Sequence, residues 1–349
     1  MIATSTSSSF DWDSLIGQET AVELLTQAIA RNRIAPAYLF VGPSGVGKKL
    51  AAERFAEHLL ARLLVHRQGN APVVSSSNAP SNTARTDTAR TEVIRQRVQQ
   101  RNHPDLFWVE PTYLSQGKRL TLSEAIASGL KRRSPPQIRL EQIREISRFL
   151  SRPPLEAERA VVILDDAHTM AEAAANALLK TLEEPGQATL ILIAPSIDSL
   201  LPTLISRCQR ISFSRLSPAQ METVLSGLDH HDILQTESIL AIAQGSPGEA
   251  IASWERLQSI PSELLESVTQ PIHSLRMALE RARQINKALD PEDQLWLIEY
   301  LQHHYWHQTY QTPAIQHLET ARKHLLRYVQ PRLVWETTFM ALLESQSKH

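Results

Sequence analysis

The sequence contains a single cysteine, Cys208, among its 349 residues. One cysteine excludes a disulfide within the chain and a cysteine-based zinc site, so we expect no structural zinc. No apolar run approaches the roughly 18–20 residues that a membrane-spanning helix needs. The stretch from Met1 to Phe10 is rich in Ser and Thr and lacks the basic start and apolar core of a signal peptide. We therefore expect a cytoplasmic protein that does not enter a membrane, with a disordered tail at residues 1–12.

An excess of charge of either sign is also missing, because 36 basic and 37 acidic residues give a formal net charge of −1. Any contact with DNA must therefore come from a local patch or from a partner subunit. The basic run Lys131–Arg133 could touch DNA phosphates, although a solvated loop is the favoured interpretation. The hydrophobic fraction of 42% is ordinary for a globular protein, and the length predicts two or three domains.

Short apolar runs alternate with helical patterns from about Asp13 to Phe213. This alternation predicts an α/β domain, in which a parallel sheet has helices on both faces. The predicted strands are Ala37–Val41, Asp105–Glu110, Ala160–Leu164, Thr189–Ile193 and Gln209–Phe213, and the predicted helices are Lys49–Leu64, Ile138–Leu150 and Ala171–Leu182. A polar stretch at about residues 66–101 is predicted to be a disordered or loosely helical insertion. The chain after about Ser217 has a helical pattern.

A glycine-rich motif lies between the first predicted strand and the helix that follows it. It fits the first seven positions of the phosphate-binding loop G-x-x-x-x-G-K. The residues are Gly42, Pro43, Ser44, Gly45, Val46, Gly47 and Lys48. Glycines allow backbone N–H groups to point at phosphate oxygens, and the following helix adds the positive end of its dipole. The motif predicts a P-loop fold in which Lys48 reaches the β- and γ-phosphates of a nucleotide.

The eighth position of the loop is Lys49, where a Ser or Thr hydroxyl would bind Mg²⁺. An ammonium group has no lone pair for a metal ion and repels it. Two interpretations stay open. Either Lys49 replaces part of the missing metal charge, so that ATP or ADP is bound but not hydrolysed, or the loop binds no nucleotide and only maintains the fold.

Two carboxylates, Asp165 and Asp166, follow the third predicted strand. In P-loop NTPases a metal-binding Asp occupies this place. Many of these enzymes also have a Glu beside it, which polarises the attacking water. Asp166 is one methylene shorter than that Glu, and such a misplacement is costly in rate. We interpret the pair as part of the nucleotide site, with a weakened capacity for hydrolysis.

Four further motifs are Ile16–Gln18, Asn176–Pro185, Ser206–Cys208 and Gly245–Gly248. They follow one another in the order found in the AAA+ subunits of sliding-clamp loaders, and the chain resembles that family. The resemblance implies a AAA+ P-loop domain at 13–214, a small helical lid at 215–260 and an all-α collar for oligomerisation at 261–349. It also implies a hetero-pentamer with motor ATPase and clamp-opening subunits, which acts on a sliding clamp and primed DNA.

The resemblance implies that Arg207 is an arginine finger that enters the ATP site of an adjacent motor subunit. A guanidinium is planar and permanently charged, which suits the charge on a transferring phosphoryl group. The alternative is a purely structural salt bridge. The chain's own site departs from the motor pattern at Lys49, Asp166, Ala194–Ser196 and Glu249, the last standing where a sensor arginine is expected. These departures predict little or no ATPase activity of its own.

A retained finger beside a degraded site resembles the delta-prime type of subunit, a stator within the DNA polymerase III holoenzyme. The alternative is an ATP-hydrolysing motor subunit of the gamma/tau type that tolerates Lys49 and Asp166. A stand-alone P-loop enzyme would leave the motifs Asn176–Pro185 and Ser206–Cys208 unexplained. Relatives usually carry a four-cysteine zinc module where this chain has its polar insertion, which has no cysteine.

Overall fold

A computed structural model of the chain describes residues 12–68, 82–129, 135–309 and 312–346. The chain forms two compact units, which divide between Arg215 and Leu216. The first unit combines strands and helices, and in the described part of the second unit every regular element is a helix. The finer division of the helical region into a lid and a collar stays a prediction.

The first unit contains strands β1 (Ala37–Val41), β2 (Leu106–Val109), β3 (Tyr113–Ser115), β4 (Lys118–Leu120), β5 (Ala160–Leu164), β6 (Ala188–Ala194) and β7 (Gln209–Ser212). Its α-helices are α1 (Glu19–Ala30), α2 (Lys48–Gln68), α3 (Asn82–Gln99), α4 (Leu122–Ala127), α5 (Leu140–Leu150), α6 (Glu172–Glu183) and α7 (Pro202–Ile205). All five predicted strands are confirmed, each with its ends within one residue, and the three predicted helices are α2, α5 and α6.

The main sheet is parallel, and its strand order is β2-β5-β6-β1-β7. Strands β1, β5 and β6 are buried along their whole length, as their nearly continuous apolar sequences predict. The register is continuous across the centre, where Leu39 pairs with Leu192 and Leu192 pairs with Leu164. The strand that leads into the glycine-rich loop is therefore separated by β6 from the strand that ends in the two carboxylates.

Helices cover both faces of this sheet, so the predicted α/β class is confirmed. On one face, Ile143 and Ile146 of α5 join Leu178 of α6 in the core cluster with the strands. On the other face, α2 packs against β1, β5 and β6. There the ring of Phe55 lies edge-on to that of Tyr38, with the centroids 5.0 Å apart. The helices and the loop that precedes α2 are thereby fixed on a rigid sheet.

The second half of the predicted insertion is helical, which agrees with the helical alternative of the prediction. Helix α3 packs against α2, while residues 69–81 lie outside the described residues. The side chains of Ile94 and Val98 are buried, and Nη1 of Arg97 donates to Glu156 at 2.8 Å. Two apolar residues four positions apart anchor an otherwise polar helix, which is too weak a pattern to stand out in the sequence.

A two-stranded antiparallel hairpin, β3–β4, follows the edge strand β2 and was not predicted. Gln116 and Gly117 form its turn, with φ angles of 48° and 79°. Positive φ at both central residues is typical of the tight hairpin turn that fits the twist of the strands. The basic run at Lys131–Arg133, predicted as a loop, lies outside the described residues.

The second unit consists of α8 (Pro218–Gly227), α9 (His231–Leu234), α10 (Glu237–Ala243), α11 (Pro247–Ser259), α12 (Ser262–Thr269), α13 (Leu275–Ala288), α14 (Pro291–Thr309), α15 (Thr312–Leu326) and α16 (Pro331–Gln346). Four of these helices begin at a proline, whose missing N–H is not needed in the first turn. Helix α16 packs against α13 and α15. Its Trp335 is fully buried and donates from Nε1 to Gln294 at 2.8 Å, so this tryptophan is a packing residue of the helical unit.

Among the helices of the described ranges, none combines the length and the apolar character that crossing a bilayer requires. The described residues likewise hold no group of three or more His, Cys, Asp or Glu side chains arranged for a metal ion.

Candidate functional site

The glycine-rich loop connects β1 to α2, and its first residue is fastened to the sheet. The backbone N–H of Gly42 donates to Ala194 at the end of β6. A Cβ atom at Gly42 would overlap the carbonyl oxygen of Phe213 and lie 2.9 Å from the Cβ of that residue, so only glycine allows this close approach. Gly47 has a φ of 100°, a conformation that residues with a side chain rarely adopt. The glycines of the motif are thus required by the backbone path.

The side chain of Gln18 connects the loop to the segment that follows β7. Its Nε2 donates to the carbonyl oxygens of Val46 at 3.2 Å and Ser214 at 2.8 Å. Its Oε1 accepts the backbone N–H of Ser214 at 3.0 Å. The side chain is buried, so these hydrogen bonds are shielded from water. The motif Ile16–Gln18 therefore holds the loop in place.

Lys48 lies inside the loop. Its Nζ donates to the carbonyl oxygens of Gly42 and Pro43, each at 2.5 Å, and the residue is 7% exposed. A buried ammonium surrounded by backbone of the loop is placed to exchange these neutral acceptors for a charged phosphate oxygen, which forms the stronger hydrogen bond. The structure thus brings together the residues Gly42–Lys48 as predicted from the motif.

Lys49 forms an ion pair with Asp165. The distance from Nζ to Oδ2 is 2.5 Å, and the carboxylate side chain is only 12% exposed. The same ammonium lies 5.5 Å from the centre of the Trp108 ring, within the range of a cation–π contact. The lysine therefore neutralises the carboxylate that would bind a metal ion. Trp108 was missed by sequence reasoning, because a tryptophan in an apolar strand is indistinguishable from a core residue.

Asp166 has a different environment from its neighbour. Its backbone is left-handed, with a φ of 48°, and its carboxylate is exposed and lies 3.9 Å from Nδ1 of His168. Of the two acidic residues, Asp165 contacts Lys49 and Asp166 lies near His168. The predicted pair is therefore split between two roles.

Arg207 follows α7 and is partly exposed at the surface. Nη2 donates to Oε1 of Glu183, the last residue of α6, at 2.8 Å, and Nη1 donates to the carbonyl oxygen of Thr203 at 3.1 Å. The exposed fractions of the two paired side chains are 37% for Arg207 and 54% for Glu183. The motifs Asn176–Pro185 and Ser206–Cys208 thus meet at this ion pair, which sequence reasoning did not identify.

Cys208 and Glu249 have structural explanations. Burial raises the pKa of the Cys208 thiol to about 11, which keeps it protonated and unreactive near neutral pH. Glu249 lies in the second unit, in the first turn of α11, and its backbone N–H donates to Oγ of Ser246 at 3.3 Å. A carboxylate at this position stabilises the helix dipole.

A parallel sheet that carries a glycine-rich phosphate loop after β1 and carboxylates after β5, with an arginine exposed after α7, defines a AAA+ P-loop domain. Comparison with known families makes the assignment more particular. The chain belongs to the family described as DNA polymerase III, delta subunit, which matches residues 17–217. The family described as cyanobacterial DNA polymerase III delta prime, C-terminal domain, matches residues 219–342. The predicted resemblance to the delta-prime type is confirmed.

Two relatives named delta′ agree with this assignment. The DNA polymerase III subunit delta′ of Bacillus subtilis is 32% identical over 207 residues, which are 59% of this chain and 50% of the relative. The delta′ subunit of Pseudomonas aeruginosa is 31% identical over 226 residues, 64% of this chain and 57% of the relative. The aligned part thus spans little more than half the length of these relatives. A gamma subunit-related protein of Thermotoga maritima has a TM-score of 0.47 at 18% identity, and the match covers 93% of this chain and 99% of that one.

Proposed function

We propose that this protein is the stator subunit of a sliding-clamp loader and acts in DNA replication as part of the DNA polymerase III holoenzyme. In the cytoplasm it assembles with motor ATPase and clamp-opening subunits in a hetero-pentamer and helps to load the sliding clamp onto primed DNA. Family membership supports the assignment to this machine. The observation that carries the stator role is a contrast between two cations of the same chain.

The first cation, Arg207, lies at the surface of the first unit. Its guanidinium is partly exposed and forms an ion pair with the exposed carboxylate of Glu183. Because solvent screens this ion pair, it holds the arginine only weakly. A partner's nucleotide presents more negative charge than Glu183 and accepts two parallel N–H bonds from one guanidinium. Arg207 therefore leaves Glu183 for the γ-phosphate of a neighbouring subunit, where it stabilises the charge of phosphoryl transfer.

The second cation, Lys49, is turned inward against Asp165. The loop Gly42–Lys48 fits the phosphates of ATP or ADP, which would be held by its backbone N–H groups and by Lys48. The same residues do not fit Mg²⁺, because the hydroxyl ligand is absent and an ammonium already contacts the acidic ligand. Asp166 lies 3.9 Å from Nδ1 of His168, and its side chain is one methylene shorter than the glutamate that polarises the attacking water. Hydrolysis by this chain is therefore not expected.

The test is reconstitution of the complete clamp loader with Arg207→Ala. We expect unchanged assembly and a loss of ATP turnover at the neighbouring site of about 10³-fold or more. Arg31→Ala, which changes an exposed arginine after α1, is the matched control and should behave as the wild type. Normal clamp loading by the Arg207→Ala complex would rule out the donated arginine. Rapid magnesium-dependent ATP turnover by the purified chain would favour a motor subunit instead.

A further inference from the structure

The ion pair between Lys49 and Asp165 has a consequence for the ligand of the loop. We propose that residues 42–49 bind a nucleoside diphosphate or triphosphate without a divalent cation, with the ammonium of Lys49 taking the place of the metal ion. This inference rests on the proposed nucleotide site of this chain and is independent of the donation of Arg207 to a partner.

The position of the ammonium is the first argument. Asp165 continues the sheet directly after β5, since its backbone N–H donates to Val109 at 2.8 Å. Its carboxylate is therefore fixed by the strand and is largely shielded from water. The 2.5 Å contact places Nζ of Lys49 where a cation bound by this carboxylate would lie. The ring of Trp108 restrains the same ammonium from another direction.

The remaining hydrogen-bonding capacity of Lys49 is the second argument. An ammonium has three N–H donors, and one of them faces Asp165. The side chain is 46% exposed, so its other donors are open to a ligand that enters the loop. Lys49 directly follows Lys48 at the start of α2. Partial desolvation raises the pKa of Asp166, and the charges of both lysines offset part of this rise, so both ammonium groups lie near the same carboxylate. We therefore expect phosphate oxygens held by Lys48 to lie within reach of Lys49.

Charge is the third argument, because it explains why a metal ion is excluded. A divalent cation at Asp165 would lie beside the positive charge of Lys49 and would have to displace it. Binding of a magnesium–nucleotide complex would then cost the existing ion pair and gain an incomplete set of ligands. The free nucleotide, which carries more negative charge, gains attraction from both lysines. We therefore expect metal to weaken binding or leave it unchanged.

The experiment is a titration of the purified full-length chain with fluorescent ADP and ATP analogues, once in EDTA and once in excess Mg²⁺. The wild type should bind in EDTA at least as tightly as in Mg²⁺. Lys49→Thr restores the hydroxyl and frees Asp165, so its affinity in EDTA should fall about tenfold or more and recover on addition of Mg²⁺. Lys287→Thr, which removes an exposed charge in α13, should match the wild type.

A second measurement does not depend on any variant. Mn²⁺ added to the wild-type protein with ADP should give no enhancement of water proton relaxation beyond that of Mn²⁺–ADP alone. The inference is wrong if the wild type binds nucleotide only with Mg²⁺, if bound Mn²⁺ is detected beside the nucleotide, or if no nucleotide binds in either buffer. The Arg207→Ala test measures ATP turnover of the reconstituted complex, whereas the titration measures nucleotide binding by the purified chain. Failure of one proposal can therefore be distinguished from failure of the other.

Discussion

Nη2 of Arg207 lies 2.8 Å from Oε1 of Glu183, and this contact joins the segment after α7 to the end of α6. The sequence allows two roles for Arg207, an arginine finger or one partner of a structural salt bridge. Because the ion pair with Glu183 is exposed, Arg207 can have both roles. An exposed ion pair contributes about 0–1 kcal/mol to stability. The contact with Glu183 can therefore orient Arg207 in the free subunit and still break when a stronger ligand binds. Stability and partner activity therefore report on different roles of the same side chain.

Arg207→Lys separates these roles. Lysine keeps the charge but loses the planar fork that grips two phosphate oxygens at once. We expect the free energy of unfolding to change by less than about 1 kcal/mol. ATP turnover of the reconstituted complex should fall nearly as far as it does for Arg207→Ala. Denaturant titration and a steady-state ATPase assay check the two values, and full activity with lysine would show that charge alone is sufficient.

Gly42→Ala tests the close approach of the loop to the residue that follows β7. The added methyl group would overlap the carbonyl oxygen of Phe213, which forces the backbone to move. We expect a loss of about 1–3 kcal/mol in the free energy of unfolding, as for other overpacked sites. Gly227→Ala is the control, because a methyl group added at the end of α8 would meet nothing within 4 Å. Equal stability of the two variants would contradict the close packing of Gly42 against Phe213.

Two valines of α3 test whether this polar helix is packed. Val98 is fully buried, whereas Val93 is 48% exposed on the same helix. Val98→Ala should lower the free energy of unfolding by about 1–3 kcal/mol, because it removes buried methyl groups and leaves a cavity. Val93→Ala should change it by less than about 0.5 kcal/mol. Chemical denaturation measures both, and indistinguishable variants would mean that α3 is not anchored.

His103 predicts a dependence of stability on pH. Burial lowers its pKa, an effect that the carboxylates of Asp105 and Glu156 offset in part. Its Nδ1 also accepts the backbone N–H of Asp105 at 3.1 Å, which requires the neutral ring. The unfolded chain therefore binds a proton more readily than the folded chain. This contribution to stability is complete above the ordinary pKa of 6.5 and is lost as the pH falls below it.

His103→Asn keeps an acceptor but cannot titrate. We expect the loss of stability between pH 7.5 and pH 5.5 to be smaller in this variant, by about 1 kcal/mol and by no more than about 1.4 kcal/mol per pH unit. Asn102→Ser, which changes an exposed and non-titrating residue beside His103, should leave the pH dependence unchanged. Thermal unfolding across this pH range provides the measurement, and identical profiles for both variants would contradict the burial of a neutral His103.

The strands of the main sheet and the glycine-rich loop could be predicted from the amino-acid sequence. A strand buried on both faces is apolar at nearly every position, and Val161–Leu164 and Leu190–Ile193 show this pattern. The loop could be predicted for the same reason, because its glycine spacing follows from the backbone path of one short turn. Both features depend on residues that are close together in the sequence, so they can be predicted without knowledge of the tertiary structure.

The pairing of the charged side chains follows from the tertiary fold and could not be predicted from the sequence. Lys49 reaches Asp165 across β6, which lies between β1 and β5, and Arg207 reaches Glu183 because α7 packs against α6. The anchoring of α3 through Val98 depends in the same way on a neighbouring helix surface. The strength of an ion pair depends on the distance and the exposure of both partners, and neither quantity is encoded in the local sequence.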